Sequence, residues 1–192
     1  MSKAQELLLL RKECLNCRKC SIGGQNINGH LSNVFSNMCI KSGGRIVVVG
    51  QNPGEREVEL KKPFVGPSGR FFDNAIKEIL GIDRSSLYVS NCVRCYTPNN
   101  RAPTDKELEN CRFVLDKEIE ILKPELIVVL GNFSLRQITG ATGITKQHGK
   151  ITSSLRYGVK VLPFYHPSPL NTNRPEIREA FKKDLLLLKD YI

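Results

Sequence analysis

Three short motifs carry side chains able to do chemistry on a heterocyclic ring. They are Gly50-Gln51-Asn52-Pro53-Gly54, the lone Asn91 at the end of Leu87-Tyr88-Val89-Ser90, and His166-Pro167-Ser168-Pro169-Leu170-Asn171. A side-chain amide offers one acceptor and two donors, which suits pairing with the edge of a nucleobase. A neutral imidazole donates to an oxygen on which negative charge develops during bond breaking. Cysteines form a fourth pattern. Cys14 and Cys17 make a C-x2-C pair, Cys17 and Cys20 make a second, and Cys95 and Cys111 follow far downstream. Two pairs distant in sequence can close one site of four thiolates, and zinc or an iron–sulfur cluster both suit that spacing. The register within Cys14, Cys17 and Cys20 stays open on spacing alone. Cys39 and Cys92 read as bystanders, Cys92 as a small core residue beside a strand.

The elements that must position these groups alternate. Residues 45–49, 87–89, 126–130 and 159–163 are short apolar runs that read as buried strands. Between them, helices are expected over 69–80, with Ser68 as cap and Gly81 as stop, over 104–122, with Thr104 and Glu107 forming a capping box, and over 134–139. Residues 51–67 read as a loop, 1–12 as a short amphipathic helix and 177–191 as a closing helix. Strands alternating with helices predict an α/β three-layer sandwich around a central four-stranded parallel sheet. In such sheets the loops at the carboxyl ends of the strands build the site, and all three motifs fall there.

The chain has 192 residues, 40% of them hydrophobic, enough for one domain spanning 1–192 with an N-terminal cysteine segment over about 1–44. Its formal net charge of +10 suits an anionic partner such as nucleic acid. No stretch has the roughly 18 apolar residues of a membrane span, and the apolar run 7–10 is too short for a signal peptide. A cytoplasmic protein is expected, with its cysteines serving a metal or cluster instead of disulfides.

Taken together, the motifs resemble the uracil-DNA glycosylase superfamily, most closely its iron–sulfur branch, family 4. The resemblance rests on the C-x2-C pair near the N-terminus and on Tyr88-Val89-Ser90-Asn91-Cys92-Val93-Arg94-Cys95. It also rests on the loop Thr97-Pro98-Asn99-Asn100-Arg101-Ala102-Pro103, the block Lys62-Pro63-Phe64-Val65-Gly66-Pro67-Ser68-Gly69 and Tyr165-His166-Pro167. It covers nearly the whole chain. It implies a [4Fe–4S] cluster on Cys14, Cys17, Cys95 and Cys111 and DNA containing uracil or another deaminated base as partner; a monomer is the default expectation for a base-flipping enzyme of this size. The first motif departs from the family 4 pattern Gly-Glu-Ala-Pro-Gly. Its Gln51 is similar to family 1, and its Asn-Pro-Gly to the mismatch-specific and single-strand-selective branches.

On this resemblance, Asn91 reads the uracil edge and Phe64 stacks on the extruded base. His166 stabilises the leaving base, while Asn52 and Gln51 position the attacking water. Gly54 stands where family 1 has a bulky Tyr that excludes thymine, and Glu57 narrows the opening this leaves. Ser68 and Ser168 are candidate phosphate contacts, and Leu170 is a candidate wedge. Arg94, Arg101, Lys146 and Arg174 are candidate basic contacts, whereas His30 and His148 read as surface or local structural residues. Two other readings are carried: a mismatch glycosylase acting on thymine or hypoxanthine, and a catalytically silent iron–sulfur or zinc protein that binds DNA.

Overall fold

The computed structural model describes residues 1–36 and 44–192; Cys39 lies outside the described residues. In chain order the helices are α1 (Lys3–Cys14), α2 (Glu55–Leu60), α3 (Pro67–Leu80), α4 (Asp105–Leu122), α5 (Gly131–Thr139), α6 (Ile144–Gln147), α7 (Pro169–Thr172) and α8 (Pro175–Leu185). The strands are β1 (Asn26–Ile27), β2 (His30–Leu31), β3 (Ile46–Gly50), β4 (Tyr88–Asn91), β5 (Leu126–Leu130), β6 (Thr152–Ser154) and β7 (Val159–Phe164).

The central sheet runs β4-β3-β5-β7-β6. Four strands are parallel, as the alternation of elements predicts. A fifth, β6, pairs antiparallel with β7 and makes the sheet mixed. Its Thr-Ser-Ser sequence has no apolar pattern to announce it, and two of its three residues are exposed.

Every residue of β3 and β5 is buried, and alternate side chains feed opposite layers. Val47, Val49, Ile127 and Val129 pack with Leu115, Ile119 and Leu122 of α4 and Leu135 of α5. Ile46, Val48, Leu126 and Val128 pack on the other side with Phe72 and Ile76 of α3 and Phe181 and Leu185 of α8. The sheet is thus covered on both faces, which gives the expected three layers.

Local chemistry sets the helix ends. α1 has a Ser2–Gln5 capping box and α4 a Thr104–Glu107 box. α3 begins earlier than expected, with Gly66 as cap and Pro67 in the first turn, so Ser68 lies inside the helix. The expected loop over 51–67 contains α2, and the C-terminal segment closes as α8 followed by a 3-10 turn, Leu186–Tyr191.

Phe181 is fully buried and makes edge-to-face contacts with Phe71, Phe72 and Phe164, at ring-centre separations of 5.4, 6.3 and 5.3 Å. Phe181→Ala is expected to cost about 3–5 kcal/mol of stability. A denaturant titration checks this as a lowered midpoint at unchanged slope.

Candidate active site

Parallel register brings the strand ends level. Gly50 pairs with Asn91, and Leu130 pairs with Phe164, two residues before His166. Beyond these ends lies a cleft of about 600 Å³. Its lining includes Gln51, Asn52, Gly54, Glu57, Phe64, Ser68, Asn91, His166, Ser168 and Leu170. The structure therefore gathers these ten candidates on one cleft, while the four basic candidates, Arg94, Arg101, Lys146 and Arg174, do not line it.

Asn91, the last residue of β4, is buried. The Cys92 and Val93 N–H groups donate to the carbonyls of Gly50 and Gln51 at 2.9 and 3.0 Å, which locks this strand end to the first motif. Gly50 has no room for a side chain. A Cβ there would sit 2.5 Å from Asn91 Oδ1 and 2.9 Å from Phe64 Cζ. Phe64 has a left-handed backbone, φ 57°, and its ring contacts Phe72 edge-on at 6.3 Å. A Cβ on Gly69 would collide with the Phe64 carbonyl, so the first turn of α3 must carry glycine here.

The two amides of the first motif face each other. Gln51 Nε2 donates to Asn52 Oδ1 at 3.0 Å. Asn52 Nδ2 donates to Pro53 O, Thr97 Oγ1 and Asn100 Oδ1 at 3.1 to 3.3 Å. The Asn52 amide is thereby oriented with its nitrogen toward the 97–101 loop. Asn100 and Thr97 were not singled out as site residues. The only sequence signal for them was membership of the Pro/Asn/Arg-rich loop.

Glu57 lines the cleft, and both carboxylate oxygens are engaged. Oε2 accepts from the Gly54 N–H at 2.6 Å and Oε1 from the Gly66 N–H at 3.0 Å. One acid thus caps α2 and fixes the loop that enters α3. It also fills the space beside Gly54, where a Cβ would meet Oε2 at 2.5 Å.

His166 follows β7 and packs against Gly131, where a Cβ would come within 2.9 Å of His166 Cβ. Burial lowers the His166 pKa and favours the neutral imidazole. The Asn171 side chain donates to the His166 carbonyl at 2.8 Å and holds the turn into α7. Leu170, at the cleft rim, is 83% exposed. His148 is a local structural residue: its Nδ1 lies 2.7 Å from Asp184 Oδ2 and its ring stacks on Tyr165.

The basic candidates divide. Arg94 is not a surface contact. It is 3% exposed, and its guanidinium pairs with Glu118, also buried, and donates to the Asn91 carbonyl. A buried guanidinium needs a partner charge, and Glu118 lies on another element, out of view of local sequence. Arg101 makes a bidentate pair with Glu107, at 2.7 and 2.8 Å, and Arg174 pairs with Glu176. Lys146 is exposed.

Cys14, Cys17, Cys20, Cys95 and Cys111 line one second cavity. Backbone pairing delivers the N-terminal thiols to it. The Val34 N–H donates to Arg94 O at 2.8 Å and the Tyr96 N–H to Ser32 O at 3.0 Å. The Asn33 side chain holds the end of α1 by Cys14 O and Leu15 O, at 3.2 and 2.8 Å. As placed, no group of three or more described His, Cys, Asp or Glu side chains has the geometry of a metal site. Burial first, and then the neighbouring Cys17 and Cys111 thiols, push Cys14 up to about 11. Burial likewise raises Cys95, to about 12, and Cys111, and both also feel the thiols of Cys20 and Cys17. Cys92 is buried in the core, as expected of a bystander.

The 97–101 loop that holds Asn52 depends on a carboxylate. The Arg101 guanidinium and then the Thr104 N–H, acting against burial, hold Glu107 at about 2 instead of 4.5. A depressed folded pKa contributes stability above 4.5 that is lost as pH falls toward 2. Denaturant midpoints measured from pH 5 to pH 2 are expected to fall less steeply in Glu107→Gln than in wild type.

Residues 39–187 match the family described as the uracil DNA glycosylase superfamily. The chain is 40% identical over 151 residues to the type-4 uracil-DNA glycosylase of Thermotoga maritima, covering 77% of this chain and 78% of that one. It is 32% identical over 188 residues to the type-4 uracil-DNA glycosylase of Sulfurisphaera tokodaii, covering 94% and 82%. A type-5 uracil-DNA glycosylase of Pyrobaculum aerophilum is 38% identical over 96 residues, 48% of this chain and 41% of its own. No described helix is long and apolar enough to cross a membrane. With that family match spanning most of its length, and with the strand-end cleft it would require, the chain belongs to the uracil-DNA glycosylase superfamily.

Proposed function

We propose that this chain is a monofunctional uracil-DNA glycosylase that flips uracil out of DNA and hydrolyses its glycosidic bond in base excision repair. The observation that carries the reading is the convergence of Asn91, Phe64, His166 and the Gln51–Asn52 pair on one cleft. The type-4 names of the similar proteins support it.

The target base must leave the stack before its Watson–Crick edge can be read. Asn91 pairs with N3–H and O4, and Phe64 stacks on the ring. Leu170, exposed at the rim, fills the gap left in the duplex. The C1′–N1 bond then breaks, and its electron pair leaves with the base. A neutral His166 donates to O2 as charge grows there, which lowers the barrier without charging the cleft. The Asn52 carbonyl, oriented by the bonds to its own nitrogen, accepts from a water held behind the sugar. That water adds to C1′ and its proton leaves to solvent or the departed base, giving an abasic site and free uracil. Because the base departs largely before attack, holding the water suffices and a strong base is not needed. Glu57, standing where a Gly54 side chain would be, narrows the place where a thymine methyl group would sit.

A [4Fe–4S] cluster suits the second cavity. Soft thiolates select iron–sulfur clusters or zinc. The two buried donors without a protein partner among the described side chains, Arg94 Nε and Asn110 Nδ2, belong to residues lining this same cavity. A cluster supplies thiolate and sulfide acceptors for such donors. When bound, it cross-links the N-terminal segment to the Cys95–Cys111 region. We assign the ligands to Cys14, Cys17, Cys95 and Cys111, the set the family resemblance implies; all four thiols line the cavity. Cys14 packs with Leu10, Phe35 and Val114 at the end of α1, and Cys111 packs against this group. Cys20, which makes the second C-x2-C pair with Cys17 and lines the same cavity, is the alternative.

Alkaline cleavage of an oligonucleotide with one uracil tests the activity. Wild type is expected to cut, and His166→Ala and Asn52→Ala to lose roughly 100-fold or more in kcat. A wild type that carries its cluster and leaves uracil intact would overturn the proposal in favour of thymine or hypoxanthine. Iron content and visible absorbance test the ligand set. Cys14→Ser is expected to lose both and Cys20→Ser to keep both, and the reverse result moves the site to Cys20.

A further inference from the structure

A charged pair is buried between the two sites. Arg94 and Glu118 are 3% and 2% exposed. Desolvation makes such pairs poor contributors to stability, and well-packed apolar residues often replace them at no loss. Arg94 nevertheless makes contacts in two directions. Toward the cleft, one arm of its guanidinium donates to the carbonyl of Asn91. The other arm binds Glu118, whose Oε2 also accepts from Ser90 Oγ at 2.6 Å. Both residues at the end of β4 are therefore held from beneath. Toward the cysteines, the Arg94 N–H donates to Cys111 Sγ at 3.3 Å, and its buried Nε has no protein partner. Arg94 itself lines the thiol cavity.

Resting on the excision and cluster reading above, we propose that Arg94 is a positioning residue for both sites: it supplies positive charge and donors to the thiolate-bound cluster and fixes the carbonyl of the base-reading Asn91. A cluster ringed by thiolates is anionic, and the guanidinium is the cation buried against it. Donors to such sulfurs steady a metal site from outside its ligand shell. The planar fork also matters, because one flat group must reach a carbonyl and a carboxylate at once, which an ammonium cannot reproduce. Displacing the Asn91 carbonyl tilts the amide that meets the base, and misplacement on the scale of 1 Å is costly in rate.

Charge and fork are separable by substitution. The test measures iron release to a chelator alongside kcat and KM for uracil excision. Arg94→Lys keeps the charge and loses the fork. Its iron release is expected to stay within about threefold of wild type, while kcat falls roughly tenfold or more and KM changes little. Arg94→Met loses both features, so iron release is expected to accelerate about tenfold or more, with the same fall in kcat. If Arg94→Met does not fold, Arg94→Met/Glu118→Met removes both charges and leaves none unpaired. That double variant is expected to fold, to release iron faster and to keep the kcat defect. Wild-type kcat in Arg94→Lys overturns the proposal, as does wild-type iron retention in the Met variants, a defect confined to KM, or a double variant that cannot fold. A wild-type protein without iron or without uracil excision overturns the reading beneath the proposal, and the proposal with it.

Discussion

The cleft depends on a missing side chain. At Gly50 the end of β3 lets Asn91 Oδ1 and the tip of the Phe64 ring approach the backbone to within the space of one methyl group. A Cβ at this point would push the amide and the ring apart, and the two would no longer meet at this corner of the cleft. Gly69 lets the Phe64 backbone lie against α3, and Gly131 accommodates His166. Three glycines on three elements thus let three side chains converge, and the parallel sheet sets their common level.

Acidic side chains directed at the backbone or at arginine hold the surrounding loops. Glu57 fixes two loop amides and Glu107 fixes Arg101 and the start of α4. Glu118 fixes Ser90 and Arg94. Excision as proposed asks the amides and the imidazole to be in place before the base arrives, because donors reorganised during bond breaking lose most of their value. These carboxylates take up the structural work and leave Asn52, Asn91 and His166 for the ligand.

The strands were legible because buried parallel strands are short runs of Val, Ile and Leu, and the strand ends then located the motifs. α2 was not legible. Val58 is its one buried residue, and its cap comes from a Glu57 carboxylate reaching back to Gly54, a bond without an apolar period to mark it. Asn100 escaped notice because its link to Asn52 spans 48 positions. Arg94 looks like a candidate basic contact in the sequence because an arginine's sequence neighbours do not reveal its environment; its partner Glu118 lies 24 positions away on α4. Cys20 stayed ambiguous for the opposite reason. Two overlapping C-x2-C pairs are equivalent in spacing, and the thiols of Cys14, Cys17 and Cys20 all line the cavity that holds Cys95 and Cys111.

The small fifth strand has a consequence for the exposed edge of the sheet. Without β6, the outer rim of β7 would offer unpaired amides beside Val161 and Leu162, the kind of surface on which a second chain nucleates a shared sheet. β6 occupies that rim for three residues, then turns back through Gly158 at φ 63°. The new rim is short, hydroxyl-rich and wet. A strand too polar to be read from the sequence therefore covers the rim on which a second chain could otherwise pair.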